Sequence, residues 1–87
     1  MGATFEHIME LIVENDLIIA DGHDEAILGI VNDHSGLRVL YNSERLIDGL
    51  AKNNNMSWDD AEEYFEFNIL GAYIGPNGPL FTAIIHN

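Results

Sequence analysis

Ala26-Ile27-Leu28-Gly29-Ile30-Val31-Asn32-Asp33-His34-Ser35-Gly36-Leu37-Arg38-Val39-Leu40-Tyr41 places two short apolar runs on either side of five turn-forming residues. That pattern is the signature of a β-hairpin, with strands at Ala26 to Val31 and Leu37 to Tyr41 and the reversal at Asn32 to Gly36. The first run is apolar at every position, so that strand is expected at the centre of its sheet and covered on both faces.

Upstream of the hairpin, Phe5, Ile8, Met9, Ile12 and Val13 recur at i, i+3, i+4, i+7 and i+8, with Thr4 placed as an N-cap. This predicts an amphipathic helix from about Thr4 to Glu14, ended by Asn15-Asp16. Leu17 to Ala20 reads equally as a buried turn or a short extended piece before Asp21-Gly22 reverses the chain. Downstream, Ser43 offers an N-cap for a short second helix whose stripe is Leu46, Ile47, Leu50 and Ala51, stopping at Asn53-Asn54-Asn55.

Ser57-Trp58-Asp59-Asp60 is a variant capping box and opens a third helix. Its stripe is Trp58, Ala61, Phe65, Ile69 and Ala72, widened by Tyr64 and Tyr73, and Gly75-Pro76 with Gly78-Pro79 ends it. Leu80 to Ile85 reads as a third strand. The order α-β-β-α-α-β therefore predicts a single α+β domain over residues 1–87, with a small, mostly antiparallel three-stranded sheet covered by helices.

Composition narrows the class. A chain of 87 residues builds one core, burying only about 60% of its unfolded surface. The absence of Cys removes disulfides, thiolate metal sites and cysteine nucleophiles, and points to a reducing cytoplasm, a host cytoplasm if the chain is phage-encoded. Met1 to His7 has no basic region before an apolar stretch, which fits neither a signal nor a transit peptide, and no apolar run approaches the ~20 residues of a membrane helix. Fifteen Asp and Glu against Arg38, Arg45 and Lys52 give a formal net charge of -12. Such a surface repels nucleic-acid backbone and anionic lipid, and leaves a basic protein partner, a cation or solubility as its use.

Asp21-Gly22-His23-Asp24-Glu25-Ala26-Ile27-Leu28-Gly29, then Tyr41 before a short helix, then Met56 to Gly75 with Ala61-Glu62-Glu63-Tyr64-Phe65-Glu66-Phe67-Asn68-Ile69-Leu70-Gly71-Ala72-Tyr73-Ile74-Gly75 at its end resembles a family of small uncharacterised proteins of bacteriophages and bacteria. The resemblance runs from about Asp21 to Phe81, and Glu66 to Gly75 is its most specific block. It implies a phage or bacterial origin and no catalytic residue.

Glu6, Glu10 and Glu14 lie at i, i+4 and i+8 on helix one, where like charges four apart repel. Helix three repeats the theme with Glu62, Glu63 and Glu66. Carboxylates spaced along a helix resemble successive phosphates, so these six residues are the expected partner-binding set of a non-enzymatic accessory protein, an acidic decoy for a nucleic-acid-binding factor. The plainer reading is a solvated polar face, aided on helix three by the N-terminal dipole.

Phe67 lies off the helix-three stripe, with Leu70 and Ile74 on its side at i+3 and i+7. A helix apolar on two sides is either central in the fold or buried in a homodimer, which makes Phe67, Leu70 and Ile74 the expected contacts of a self-associating assembly module. Asn68 is expected as a buried amide bonded to backbone. Asp21, His23, Asp24 and Glu25 crowd one turn and raise a third alternative, a metal-dependent small enzyme, but they match no calcium loop, and a turn is the better reading. His7, His23, His34 and His86 are scattered, and no nucleophile elbow or phosphate loop is present. No metal, cofactor or catalytic residue is expected.

Overall fold

The computed structural model describes residues 4–34, 36–72 and 78–84. Thr4 caps the first helix as the sequence predicts, its hydroxyl accepting from the His7 N–H at 3.2 Å, and α1 follows over Phe5–Glu14. At the other end Asp16 takes a left-handed conformation (φ 52°), the Leu17 N–H donates to the Ile12 carbonyl at 2.9 Å, and the Asp16 N–H donates to Val13 at 3.3 Å. This pair of bonds is a Schellman ending, and it turns Leu17 back toward the core. Residues 17–20 then run without regular structure to a turn at Asp21 and Gly22, and a single 3₁₀ turn, Asp24–Ala26, delivers the chain to the sheet.

The hairpin forms β1 (Ile27–Asp33) and β2 (Gly36–Tyr41), paired antiparallel from Ile27↔Tyr41 to Asp33↔Gly36. The reversal is thus tighter than the five residues the sequence suggests, because Asn32, Asp33 and Gly36 join the ladder, and Gly36 (φ 117°) supplies a conformation other residues rarely adopt. Arg38 ties this end together, its guanidinium meeting Asp33 Oδ2 at 3.3 Å and donating from Nε to the Gly78 carbonyl at 2.9 Å.

With the third strand, β3 (Leu80–Phe81), the sheet order is β1-β2-β3, so β2 is central and the expectation for the first strand is corrected. The physical reason is that Leu80 and Phe81 pair with Leu40 and Tyr41 on the second edge of β2, while β1 is left at the edge of the sheet. A bulge sets Ile27 and Gly29 opposite consecutive residues Tyr41 and Leu40, leaving Leu28 outside the register and exposed. Only Ile27 of the strand is buried, whereas Val39 and Tyr41 of β2 are inaccessible to solvent.

After β2, α2 (Ser43–Asn53) is capped by Asn42, whose side-chain oxygen accepts from the Arg45 N–H at 3.1 Å. Ser43, the expected cap, is instead buried inside the helix start. Its N–H donates to Thr82 Oγ1 at 2.9 Å and its hydroxyl donates to the Thr82 carbonyl at 2.6 Å. That grip explains why the third strand, β3 (Leu80–Phe81), is shorter than predicted: it pairs parallel with Leu40 and Tyr41, and the next residue is taken by the helix. Ile85, the expected end of the strand, lies outside the described residues.

A second Schellman ending, with Asn55 at φ 54° and Met56 N–H donating to Ala51 at 3.0 Å, leads to α3 (Trp58–Tyr64). Ser57 caps it through the Asp60 N–H at 3.1 Å, and Trp58 Nε1 donates to Asp48 of α2 at 2.9 Å. The helix then widens into a π-helical segment, Phe65–Leu70. The core joins Ile8 and Ile12 of α1, Val39 and Tyr41 of β2, Leu46, Ile47 and Leu50 of α2, and Ala61, Phe65 and Ile69 of the last helix. Phe81 stacks on Tyr41 (5.5 Å) and meets Phe65 edge-on (5.4 Å), so this one residue of the short β3 binds sheet to helix. No helix of the described residues is long and apolar enough to cross a membrane.

Candidate functional site

The arc of apolar residues on α1 is wider than the core can cover. At 100° per residue, Ile8 and Val13 stand about 140° apart around the helix axis, beyond the stripe a one-sided helix usually buries. The core takes Ile8 and Ile12. Met9 is half-buried, Phe5 is 50% exposed and Val13 is 77% exposed. Phe5, Met9 and Val13 therefore form a solvent-facing apolar ridge at i, i+4 and i+8.

Each of these three is followed in sequence by a glutamate, so the ridge Glu6, Glu10, Glu14 runs beside it, all three exposed. Together the six residues line a shallow hollow of about 530 Å³. Helix α1 contains no Lys or Arg; its only basic group is His7, whose ring lies 4.0 Å from Glu10 across one turn. The chain's three cations sit elsewhere: Arg38 on β2, and Arg45 and Lys52 on α2. The surface thus offers apolar contact and uncompensated negative charge along the same 10-residue helix.

The acids of the last helix are divided. Half-buried Glu62 and exposed Glu66 border one hollow with Leu70, Phe81 and Ile84, and exposed Glu63 borders another with Met56, Asp60, Tyr64, Phe67 and Asn68. Neither hollow is shared with the glutamates of α1. The six acids named from sequence therefore occupy separate surfaces.

Phe67 and Leu70 are 75% and 42% exposed, so the helix is apolar on two sides without being central in the fold. Ile74, grouped with them, and Tyr73 lie outside the described residues. Asn68 is exposed, correcting the expected burial, although its amide does donate to backbone, at the Tyr64 carbonyl (3.2 Å). The widened turn accounts for this: Phe65 and Ile69 fill the core side and turn the residues between them outward. Tyr64 and Ala72, placed on or beside the buried stripe by sequence, are likewise exposed.

In the Asp21 to Glu25 loop, Asp21, Asp24 and Glu25 are exposed and His23 is half-buried at the start of the 3₁₀ turn. Glu25 leans on α2 instead, its carboxylate 3.2 Å from where a side chain at Gly49 would begin, and its carbonyl accepts from Arg45. Among the described residues, no three His, Asp or Glu side chains are grouped to hold a metal ion. His7 and His34 are exposed and far apart in the chain, and His86 lies outside the described residues.

Sequence reasoning named the α1 glutamates but placed Phe5, Met9 and Val13 in one amphipathic pattern with Ile8 and Ile12, without separating exposed from buried positions. The signal for their exposure was the width of the arc, since six of the ten residues of α1, Leu11 included, are apolar and together span about 200° of the helix. No family model, curated protein or solved structure matches this chain.

Proposed function

We propose that this chain is a non-enzymatic accessory protein that acts by binding another protein through the outer face of α1. The observation that carries the reading is the pairing of an exposed apolar ridge, Phe5, Met9 and Val13, with the parallel ridge Glu6, Glu10 and Glu14 on a helix free of Lys and Arg. Apolar ridges of this kind supply contact energy in an interface core, while a charged rim steers and selects the partner. A partner of matching chemistry presents a basic surface with an apolar seam, such as an amphipathic helix carrying Lys or Arg along one side.

Mimicry of nucleic acid uses the same glutamates but not the ridge beside them, since phosphate-binding grooves are recognised through charge. The two modes separate by mutation. Tagged protein is used to capture partners from bacterial lysate at low salt, with stepwise salt elution, in three forms: wild type, Phe5→Ser/Val13→Ser, and Glu6→Gln/Glu10→Gln/Glu14→Gln. Binding through the mixed face is lost in both variants, whereas a pure decoy is lost only in the glutamine variant. Recovery unchanged in both variants rejects α1 as the binding surface.

Self-association through Phe67 and Leu70 is the second reading, favoured by their exposure on one side of the last helix. Light scattering on the purified protein tests it, with Phe67→Glu expected to dissolve any dimer. The absence of Lys and Arg from residues 58–72 weighs against it, because a second copy offers Asp60, Glu63 and Glu66 no countercharge on that helix.

A further inference from the structure

We infer that the outer face of the last helix carries a second binding site, one for an organic cation of the guanidinium or alkylammonium type, as presented by an arginine or lysine side chain. Asp60, Glu63, Tyr64 and Phe67 recur at i, i+3, i+4 and i+7, so they share one helix face. With Met56 and Asn68 they line an open hollow of about 300 Å³, at the small end of ligand sites and matched to a side-chain head rather than a larger molecule.

The chemistry of the lining is selective. Tyr64 is 46% exposed and Phe67 is 75% exposed, so both rings reach solvent, and the face of an aromatic ring attracts a cation through its quadrupole. Asp60 and Glu63 are exposed carboxylates on the same face, able to accept hydrogen bonds from the N–H groups of the cation. Met56, half-buried, gives the hollow a polarizable apolar contact for an alkyl stem. The Asn68 amide is held by its bond to the Tyr64 carbonyl, which leaves its oxygen as a further acceptor.

No Lys or Arg occurs in residues 58–72, so nothing on this helix already supplies the cation. The geometry also departs from a regular α-helix at this place: Phe67 belongs to the π-helical segment Phe65–Leu70, and π-helical turns inside helices concentrate at functional sites. An anion is repelled by Asp60 and Glu63, and a neutral apolar ligand gains nothing from them. The assignment is independent of the α1 surface, with which this hollow shares no residue.

The test is an NMR titration of the purified protein with blocked arginine (N-acetyl-arginine-N-methylamide), with blocked citrulline as the neutral isostere and tetramethylammonium as a free small cation. Blocked arginine is expected to shift the Tyr64 and Phe67 ring signals and the Asp60 and Glu63 amides saturably, and blocked citrulline to leave them in place. Tetramethylammonium matching blocked arginine assigns the site to small cations in general; a weaker response assigns it to side chains that also donate hydrogen bonds. Phe67→Leu and Glu63→Gln, both at exposed positions, are expected to weaken binding by roughly threefold or more with unchanged melting temperature. Equal shifts from citrulline, shifts spread over acidic residues all around the molecule, or affinity unchanged in both variants would overturn the assignment. Glu10→Gln on α1 leaves the titration unaltered, which separates failure of this site from failure of the α1 surface.

Discussion

The Tyr41 hydroxyl is bonded to both backbone groups of Ala20, accepting from its N–H at 2.8 Å and donating to its carbonyl at 3.4 Å. Both residues are buried, and they stand 21 positions apart. The contact joins the irregular segment after α1 to the central strand, where no ladder would otherwise satisfy Ala20. Tyr41→Phe keeps the ring, with its stacking on Phe81, but strands two buried backbone groups. The substitution is expected to lower stability by about 1–3 kcal/mol in urea unfolding, with the slope of the transition unchanged. A loss of under a few tenths of a kcal/mol would show that water reaches Ala20 in the variant.

Both Schellman endings place a non-glycine residue in the left-handed region, Asp16 after α1 and Asn55 after α2. Asp and Asn tolerate this conformation better than other side chains, but glycine adopts it without steric penalty. Asp16 also puts a negative charge beside the negative end of the α1 dipole. Asp16→Gly and Asn55→Gly are each expected to raise stability by about 0.5–1 kcal/mol, with Asp16→Gly the larger. Thermal melting of the two single variants checks both the sign and the order.

Ser43 is buried with its hydroxyl on the Thr82 carbonyl, so the end of β3 depends on the first residue of α2. Ser43→Ala is expected to cost about 1–2 kcal/mol. Because Asn42 provides the cap, the helix itself should persist, and the damage should fall on β3. Hydrogen exchange reads this directly: the amide of Thr82, bonded to the Tyr41 carbonyl at 3.0 Å, is expected to exchange faster while that of Leu46 in α2 is unaffected.

The elements that were legible in the sequence are those specified by local chemistry. Thr4 and Ser57 announce their helices because a cap needs only its own hydroxyl and the N–H three residues on. The hairpin is set by apolar runs around a turn, and the α+β class with a mostly antiparallel sheet follows from element order. What escaped the sequence depends on non-local contacts. The centre of the sheet is decided by Leu80 and Phe81 pairing with Leu40 and Tyr41, across some 40 residues of chain. The choice of Asn42 over Ser43 as cap is decided by Thr82. At the candidate surface, the Glu6, Glu10, Glu14 ridge could be read from spacing, but the exposure of Phe5 and Val13 depends on how much of α1 the core of a small sheet can cover.

Glu10 stands between Glu6 and Glu14 and meets each at four residues' spacing, so it bears two like-charge repulsions where its neighbours bear one. Relieving both with Glu10→Gln is expected to raise stability by about 0.4–1 kcal/mol at low ionic strength. The gain should fade as salt is added, since exposed charges at this separation are screened within a Debye length of roughly 10 Å at 0.1 M. The contact of Glu10 with His7 at 4.0 Å is solvent-exposed and does not reverse the sign. The same uncompensated charge is what a basic surface on another molecule would answer. Chemical denaturation of wild type and Glu10→Gln at low and high salt, set beside partner capture by the same two proteins, brings this to a decision. Greater stability together with weaker capture is the outcome expected of a binding helix. Greater stability with capture intact would make the ridge a solvated face and move the search to the last helix.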